Sequence, residues 1–217
     1  MNTPYAAFSD DDSWWSPGSL ARAADLLDAH PRLAALAART LVGPQEKRDP
    51  ICNAMANSPL VAEPGMPGPP VRGFLGCAVV IRRSAYLDAG GYNPRLRIGG
   101  EEELLAADLA AAGWVLVYVD EIIAHHYPSK IRDSVERRRS STRNALWFAW
   151  LRRPLSTAAR HTLLAARAAL KDANVRDGLV QALRGLPWAI RHRRVLPRRV
   201  EEDLRLLDRE RRLRALK

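Results

Sequence analysis

The 217 residues suffice for one domain, or one and a half, and a 47% hydrophobic composition suffices for a core. Two cysteines, Cys52 and Cys77, make no disulfide framework and show no metal-ligand spacing; with no leader pattern and no apolar run of about 18 residues, a cytoplasmic, non-spanning chain is expected. Charge is uneven: residues 1–129 hold 10 Lys and Arg against 15 Asp and Glu, net −5, and residues 130–217 hold 24 against 9, net +15, so an acidic portion precedes a basic, partner-binding one.

Tyr5-Ala6-Ala7-Phe8 reads as a buried strand, and Ser16-Pro17-Gly18-Ser19 as a helix start with an N-cap hydroxyl. The helix, over 17–29, places Leu20, Ala23, Ala24 and Leu27 on one face. Between strand and helix stand Asp10-Asp11-Asp12, at the kind of strand end where open α/β sheets hold ligands. Adjacent carboxylates repel unless a cation or hydrogen-bond donors compensate, and hard ions such as Mg²⁺ and Mn²⁺ take this kind of oxygen ligand together with substrate phosphates. In an extended segment Asp10 and Asp12 point to one side and Asp11 away. The plain alternative is a solvated turn.

Residues 33–42 are ambiguous: their alanines favour helix, while Thr40-Leu41-Val42-Gly43-Pro44 reads as a strand entering a turn. Residues 44–70, with seven prolines, read as a loop or lid without packed elements. Gly73 to Ile81 reads as a buried strand with Cys77 as a small core residue, and Arg82-Arg83 starts a brief helix that runs to Ala89 and ends at Gly90-Gly91. A loop from Tyr92 to Gly100 leads into a helix from Glu101 to Ala112, stopped by Gly113. Trp114 to Val119 is the next strand, with His125-His126 shortly after its end. Glu101-Glu102-Glu103 suits the positive end of a helix dipole, and Gly99-Gly100 before it lets the backbone approach a ligand closely.

Phe8-Ser9-Asp10-Asp11-Asp12-Ser13-Trp14-Trp15, Gly76-Cys77-Ala78 with Arg82-Arg83, Gly90-Gly91-Tyr92, Gly99-Gly100-Glu101-Glu102, Gly113-Trp114 and His125-His126-Tyr127-Pro128-Ser129 follow in an order that resembles family 2 glycosyltransferases. The resemblance covers roughly residues 4–153, through Arg143-Asn144-Ala145-Leu146-Trp147 and Leu151-Arg152-Arg153-Pro154. It implies an α/β fold: a partial GT-A (nucleotide-diphospho-sugar transferase) mixed sheet flanked by helices over 1–130, followed by a basic helical region over 131–217. It also implies that Asp10, Asp11 and Asp12 contact the donor's ribose and metal-bound diphosphate, Asp10 and Asp12 foremost. Glu101-Glu102 stands where the family has Glu-Asp, which makes Glu102 the catalytic base and Glu101 the fallback. His126, or its neighbour His125, completes the Mg²⁺ or Mn²⁺ site. Trp14, Trp15, Gly90, Gly91, Tyr92 and Gly100 border the sugar and acceptor. Arg139 and Arg143 fold back over the diphosphate, where guanidinium pairs well with phosphate, unless they are a solvated helix face. Family members carry a further sheet half before the acidic triplet, so this chain is expected to be a truncated form that binds its donor weakly.

Moving a sugar from a nucleotide diphosphate to a hydroxyl with inversion needs a base for the acceptor proton and positive charge at the leaving diphosphate. In the basic half, Leu146, Trp147, Trp150, Leu151 and Leu155 beside Arg152-Arg153, and Leu179, Leu183, Leu186, Trp188 and Ile190 among arginines, suit interfacial helices on an anionic membrane. The resembled family's lipid-linked acceptors would place the chain peripherally on the inner face of the plasma membrane. The alternative is that these helices, and the segment from Val200 to Lys217, pack on protein and expose arginine-rich faces. An incomplete sheet edge favours homo-oligomers. Two other functions compete: a non-catalytic basic fragment binding membrane or nucleic acid, of which nucleic acid is not expected because no reading module matches, and a metal-dependent hydrolase using the same Asp and His residues.

Overall fold

The computed structural model describes residues 3–128 and 134–214; Ser129 of the last motif, Arg132 and Lys217 lie outside them. The chain divides into two compact units. The first comprises Met1–Gly91, Ala106–Lys130 and Glu202–Lys217, and the second Tyr92–Leu105 and Ile131–Glu201.

The first unit is built on a mixed sheet. Its strands are β1 (Tyr5–Phe8), β2 (Ser13–Trp15), β3 (Leu33–Val42), β4 (Lys47–Arg48), β5 (Val79–Arg82) and β6 (Val115–His126). Among the described residues they form one sheet in the order β1-β5-β3-β6-β2, with β4 paired to β3. The β3–β6 pairing is parallel and the others antiparallel. Helix α1 (Ser19–Ala29) buries Ala23, Leu26 and Leu27 in a core shared with Leu33 and Leu36 of β3 and Val117 and Val119 of β6.

Tertiary position resolves the ambiguity of residues 33–42. Leu33 to Ala38 are buried without interruption, as on a central strand covered on both faces, and this burial outweighs the helix propensity of the alanines. The proline-rich stretch is more ordered than expected. It contains β4 and helix α2 (Pro50–Ala56), in which Cys52 and Met55 are buried, and Asp49 caps the helix by accepting from the Ile51 N–H at 2.9 Å. Farther on, the chain lies along β6, where the Val71 N–H donates to the Leu116 carbonyl and the Tyr118 N–H to the Pro69 carbonyl, both at 2.9 Å. Gly68 is obligatory there, since a Cβ would meet the Tyr118 carbonyl oxygen at 1.9 Å.

Other local expectations change too. The 73–81 strand begins only at Val79, after a 3-10 turn at Gly76–Ala78, and leads into α3 (Arg83–Asp88). Helix α1 is capped by Gly18, in the left-handed region at φ 80°, with no side-chain cap. The Ser19 hydroxyl instead accepts from the Ile123 N–H at 3.0 Å, and Leu20 faces solvent while Leu26 turns inward. β1 is a half-buried edge strand. β6 is twice the expected length, so the two histidines lie within it.

The second unit is helical: α5 (Ser134–Arg152), α6 (Leu155–Ala169), α7 (Ala173–Arg184), α8 (Leu186–Arg191) and the first residues of α9 (Arg198–Arg214), with Glu101–Leu105 of α4 (Glu101–Ala111). α5 packs against α6, α7 and α8. Close approach needs glycine: a Cβ on Gly178 would lie 2.6 Å from the Arg139 carbonyl oxygen, and one on Gly185 2.5 Å from the Trp147 ring. The proposed membrane stripe on α5 is therefore corrected. Trp147 and Trp150 are buried, their indole N–H groups donating to the Ala182 carbonyl at 3.0 Å and the Thr162 hydroxyl at 2.9 Å, and Arg152 and Arg153 are buried with them. No helix of the described residues is long and apolar enough to cross a membrane.

Candidate functional site

The acidic triplet lies in a turn, not in an extended segment, and Ser13 clamps it. The Asp10 N–H donates to Ser13 Oγ at 2.7 Å, that hydroxyl donates to the Asp10 carbonyl at 3.1 Å, and the Ser13 N–H reaches the same carbonyl at 3.2 Å. Bonds between the Ser13 hydroxyl and the backbone, with one backbone–backbone bond, thus hold the turn. β6 fixes its position: Ser13, Trp14 and Trp15 pair with His126, His125 and Ala124, and the Tyr127 N–H donates to the Asp12 carbonyl at 2.8 Å.

This pairing brings His126 to the acids. Its Nε2 lies 3.4 Å from Asp12 Oδ1, and ligand atoms of Asp10, Cys77 and His126 fall within 4.8 Å of one another. Carboxylate, thiol and imidazole come from three elements: the β1–β2 turn, the 3-10 turn before β5, and the end of β6. Asp10 is exposed, His126 half-buried and Cys77 buried, so the cluster opens to solvent on the carboxylate side. Such a donor set fits a divalent ion, with Asp12 beside it. Asp11 is exposed and not a member of this group.

His125 takes the other face of the strand, because successive strand side chains alternate. Its Nε2 is 2.7 Å from Ser16 Oγ and its Nδ1 3.3 Å from Glu46 Oε1. The Trp14 ring stacks on it at 5.1 Å and 4°, with Tyr127 tilted against Trp14 at 4.9 Å. Trp14 is 45% exposed and presents an aromatic surface, whereas Trp15 packs against the core. Gly90 and Gly91 end α3 at φ 85° and 66°, and a Cβ on Gly91 would meet the Tyr86 ring at 2.9 Å. That ring lies against Phe8 at 5.4 Å.

In the second unit, Glu101, Glu102 and Glu103 form the half-buried first turn of α4, entered through Gly99 and Gly100 at φ 84° and 98°, after half-buried Tyr92. Asn144 anchors this entry, a role that the sequence reading missed. Fully buried on α5, its amide donates to the carbonyls of Leu96, Ile98 and Gly99 at 2.8, 3.1 and 2.6 Å. A lone amide beside the arginines of 137–143 was its signal in the sequence. Arg143 beside it donates to Asn144 Oδ1 at 2.9 Å and to Gln181 Oε1 and the Leu96 carbonyl at 3.3 Å, and lies over the Trp147 ring at 4.9 Å. Desolvation by burial pulls its guanidinium pKa down. Arg139 pairs with Asp177 at 2.9 Å.

No family model and no curated protein sequence matches the chain. Solved structures do. S. aureus TarS 1-349 in complex with UDP-GlcNAc aligns at a TM-score of 0.52 and 15% identity over 92% of this chain and 60% of that one. GalNAc-T7 with UDP, GalNAc and Mn²⁺ aligns at 0.53 and 12% over 87% and 40%. Mannosyltransferase PcManGT from Pyrobaculum calidifontis in complex with GDP-Man and Mn²⁺ aligns at 0.48 and 16% over 85% and 62%. The first two establish a partial GT-A-type fold, and the chain spans less than two thirds of any of these three proteins.

Proposed function

We propose that this chain, with its GT-A-type fold, belongs to a metal-dependent glycosyltransferase that moves a hexosyl or deoxyhexosyl group, with inversion, from a nucleotide-diphosphate sugar to an acceptor hydroxyl. The observation that carries the reading is the convergence of Asp10, Asp12 and His126 on one point of that fold. The nucleotide sugar and the Mn²⁺ named with the solved neighbours support the donor class and the ion.

Asp10, Asp12 and His126 would hold a Mg²⁺ or Mn²⁺ ion, and Asp12 lies where it orients the imidazole. The ion, when bound, supplies Lewis-acid stabilisation at the departing diphosphate. Trp14 offers its exposed face to the sugar or the acceptor. Glu102 takes the acceptor proton, with Glu101 as the fallback, and Asn144 keeps the glycine entry to this turn in place. Donor contact by Arg139 or Arg143 requires each to release the partners that it holds, Asp177 for the first and Gln181 and Asn144 for the second.

The acceptor is a lipid-linked alcohol in this reading, and the chain works at the inner face of the plasma membrane. Leu155, Leu163, Leu164 and Leu170 are 49–86% exposed on and just after α6, beside exposed Arg160, Arg167 and Lys171, and support contact with an anionic surface. The test is nucleotide release from GDP- and UDP-sugars with Mn²⁺, with and without an alcohol acceptor. Release that requires the acceptor and yields the opposite anomer supports the reading; release into water alone favours a hydrolase and overturns it.

A further inference from the structure

We propose that Cys77 is a ligand to the cation at the acidic turn, so that this site selects a thiolate-accepting ion such as Zn²⁺ over Mg²⁺. The inference rests on the premise above that the turn holds a cation, and it replaces the Mg²⁺ named there with an ion that accepts a thiolate.

Strand register is the first argument. β1 and β5 pair Tyr5 with Arg82, Ala6 with Ile81, Ala7 with Val80 and Phe8 with Val79. Asp10 and Cys77 each stand two residues beyond the last pair, Asp10 at the entry to the acidic turn and Cys77 in the 3-10 turn. The 3-10 turn, closed by the Ala78 N–H to the Leu75 carbonyl at 3.0 Å, holds the cysteine there. The β2–β6 register independently delivers His126 to the same place. Two unrelated strand pairings therefore bring three different ligand atoms within 4.8 Å.

The two cysteines differ in what they face. Cys52 is fully buried, and its sulfur accepts from the Thr40 N–H at 3.2 Å, a structural contact. Cys77 is also buried, at 5% exposure, but its sulfur faces a carboxylate and an imidazole. Mg²⁺ takes oxygen ligands and keeps its waters, which leaves a buried sulfur mismatched; Zn²⁺ and Co²⁺ accept oxygen, nitrogen and sulfur together.

The experiment is a Co²⁺ titration of the full chain after chelator treatment, followed by absorbance without any donor present. The expected spectrum carries a near-ultraviolet sulfur-to-cobalt charge-transfer band that Zn²⁺ bleaches stoichiometrically and that about a hundredfold excess of Mg²⁺ leaves in place. Cys77→Ser should lose that band, retain weaker Co²⁺ binding and bind Zn²⁺ at least about tenfold less tightly, whereas Asp10→Asn should keep the band at reduced affinity. Co²⁺ binding to the wild-type chain without the band overturns the role of Cys77 and spares the cation premise; no Co²⁺ binding overturns both. The wild-type spectrum decides the matter even if a variant fails to fold.

Discussion

His125 and His126 are adjacent in the chain and serve opposite faces of β6: His126 Nε2 lies 3.4 Å from Asp12 Oδ1, while His125 Nε2 lies 2.7 Å from Ser16 Oγ. Strand alternation separates their roles more sharply than sequence position. His126→Ala should weaken divalent-cation binding by about tenfold or more in calorimetry. His125→Ala should leave it within about twofold but lose the Trp14 stack, seen as a shift in tryptophan emission and a stability loss of about 1 kcal/mol.

Glu102→Gln should lower kcat about 10²–10⁴-fold and leave the donor KM unchanged, as expected for a lost general base. Glu101→Gln should do less. A larger loss from Glu101→Gln would transfer the role to the fallback. Asp12→Asn, by contrast, should act on donor and cation binding, and steady-state kinetics at several Mn²⁺ concentrations separate the two patterns.

Asn144→Ala removes donors from three carbonyls at Leu96, Ile98 and Gly99 in a buried position. The expected cost is about 1–3 kcal/mol in urea unfolding. Because these carbonyls set the path into Gly100 and Glu101, turnover should fall further than stability explains. Measurement well below the unfolding midpoint isolates that effect.

Arg153→Met leaves the Glu201 carboxylate buried without the guanidinium 2.6 Å away. Thr157 still donates to it at 3.1 Å. Losing one partner of a buried pair costs about 3–5 kcal/mol, so a marked drop in Tm is expected, and Arg153→Met with Glu201→Leu should recover part of it.

Burial, and then the hydrogen bond that it donates to Asp120, raise the pKa of the Tyr118 phenol. The unfolded chain therefore loses this proton first. Its stabilising contribution is complete below the ordinary phenol pKa of about 10 and declines as the pH rises beyond it. Tyr118→Phe should flatten the alkaline limb of stability against pH, checked by denaturant midpoints on both sides of that value.

The order of the motifs, the place of the aspartates after the first strand and the α/β class were readable in the chain because each depends on a few neighbouring residues. Helix α1 was placed correctly by apolar spacing, though Leu20 and Leu26 exchanged places once tertiary packing chose the face. The arginine-flanked tryptophans of α5 misled for a related reason. Trp147 and Trp150 recur as a membrane stripe would, but the same pattern suits a helix enclosed by α6, α7 and α8, and local sequence does not distinguish them.

By itself, then, the sequence determined which chemistry-bearing residues were present and in what order: three aspartates, a glycine-preceded glutamate turn and a histidine pair. Only the tertiary structure decided which of them meet. The β1–β5 pairing brings together the chain ends that carry Asp10 and Cys77, and strand alternation sends His126 to the acids and His125 to Trp14 and Ser16. These are long-range choices, made by hydrogen-bond ladders between segments some 70 to 110 residues apart, and a one-residue shift in any ladder would reverse them.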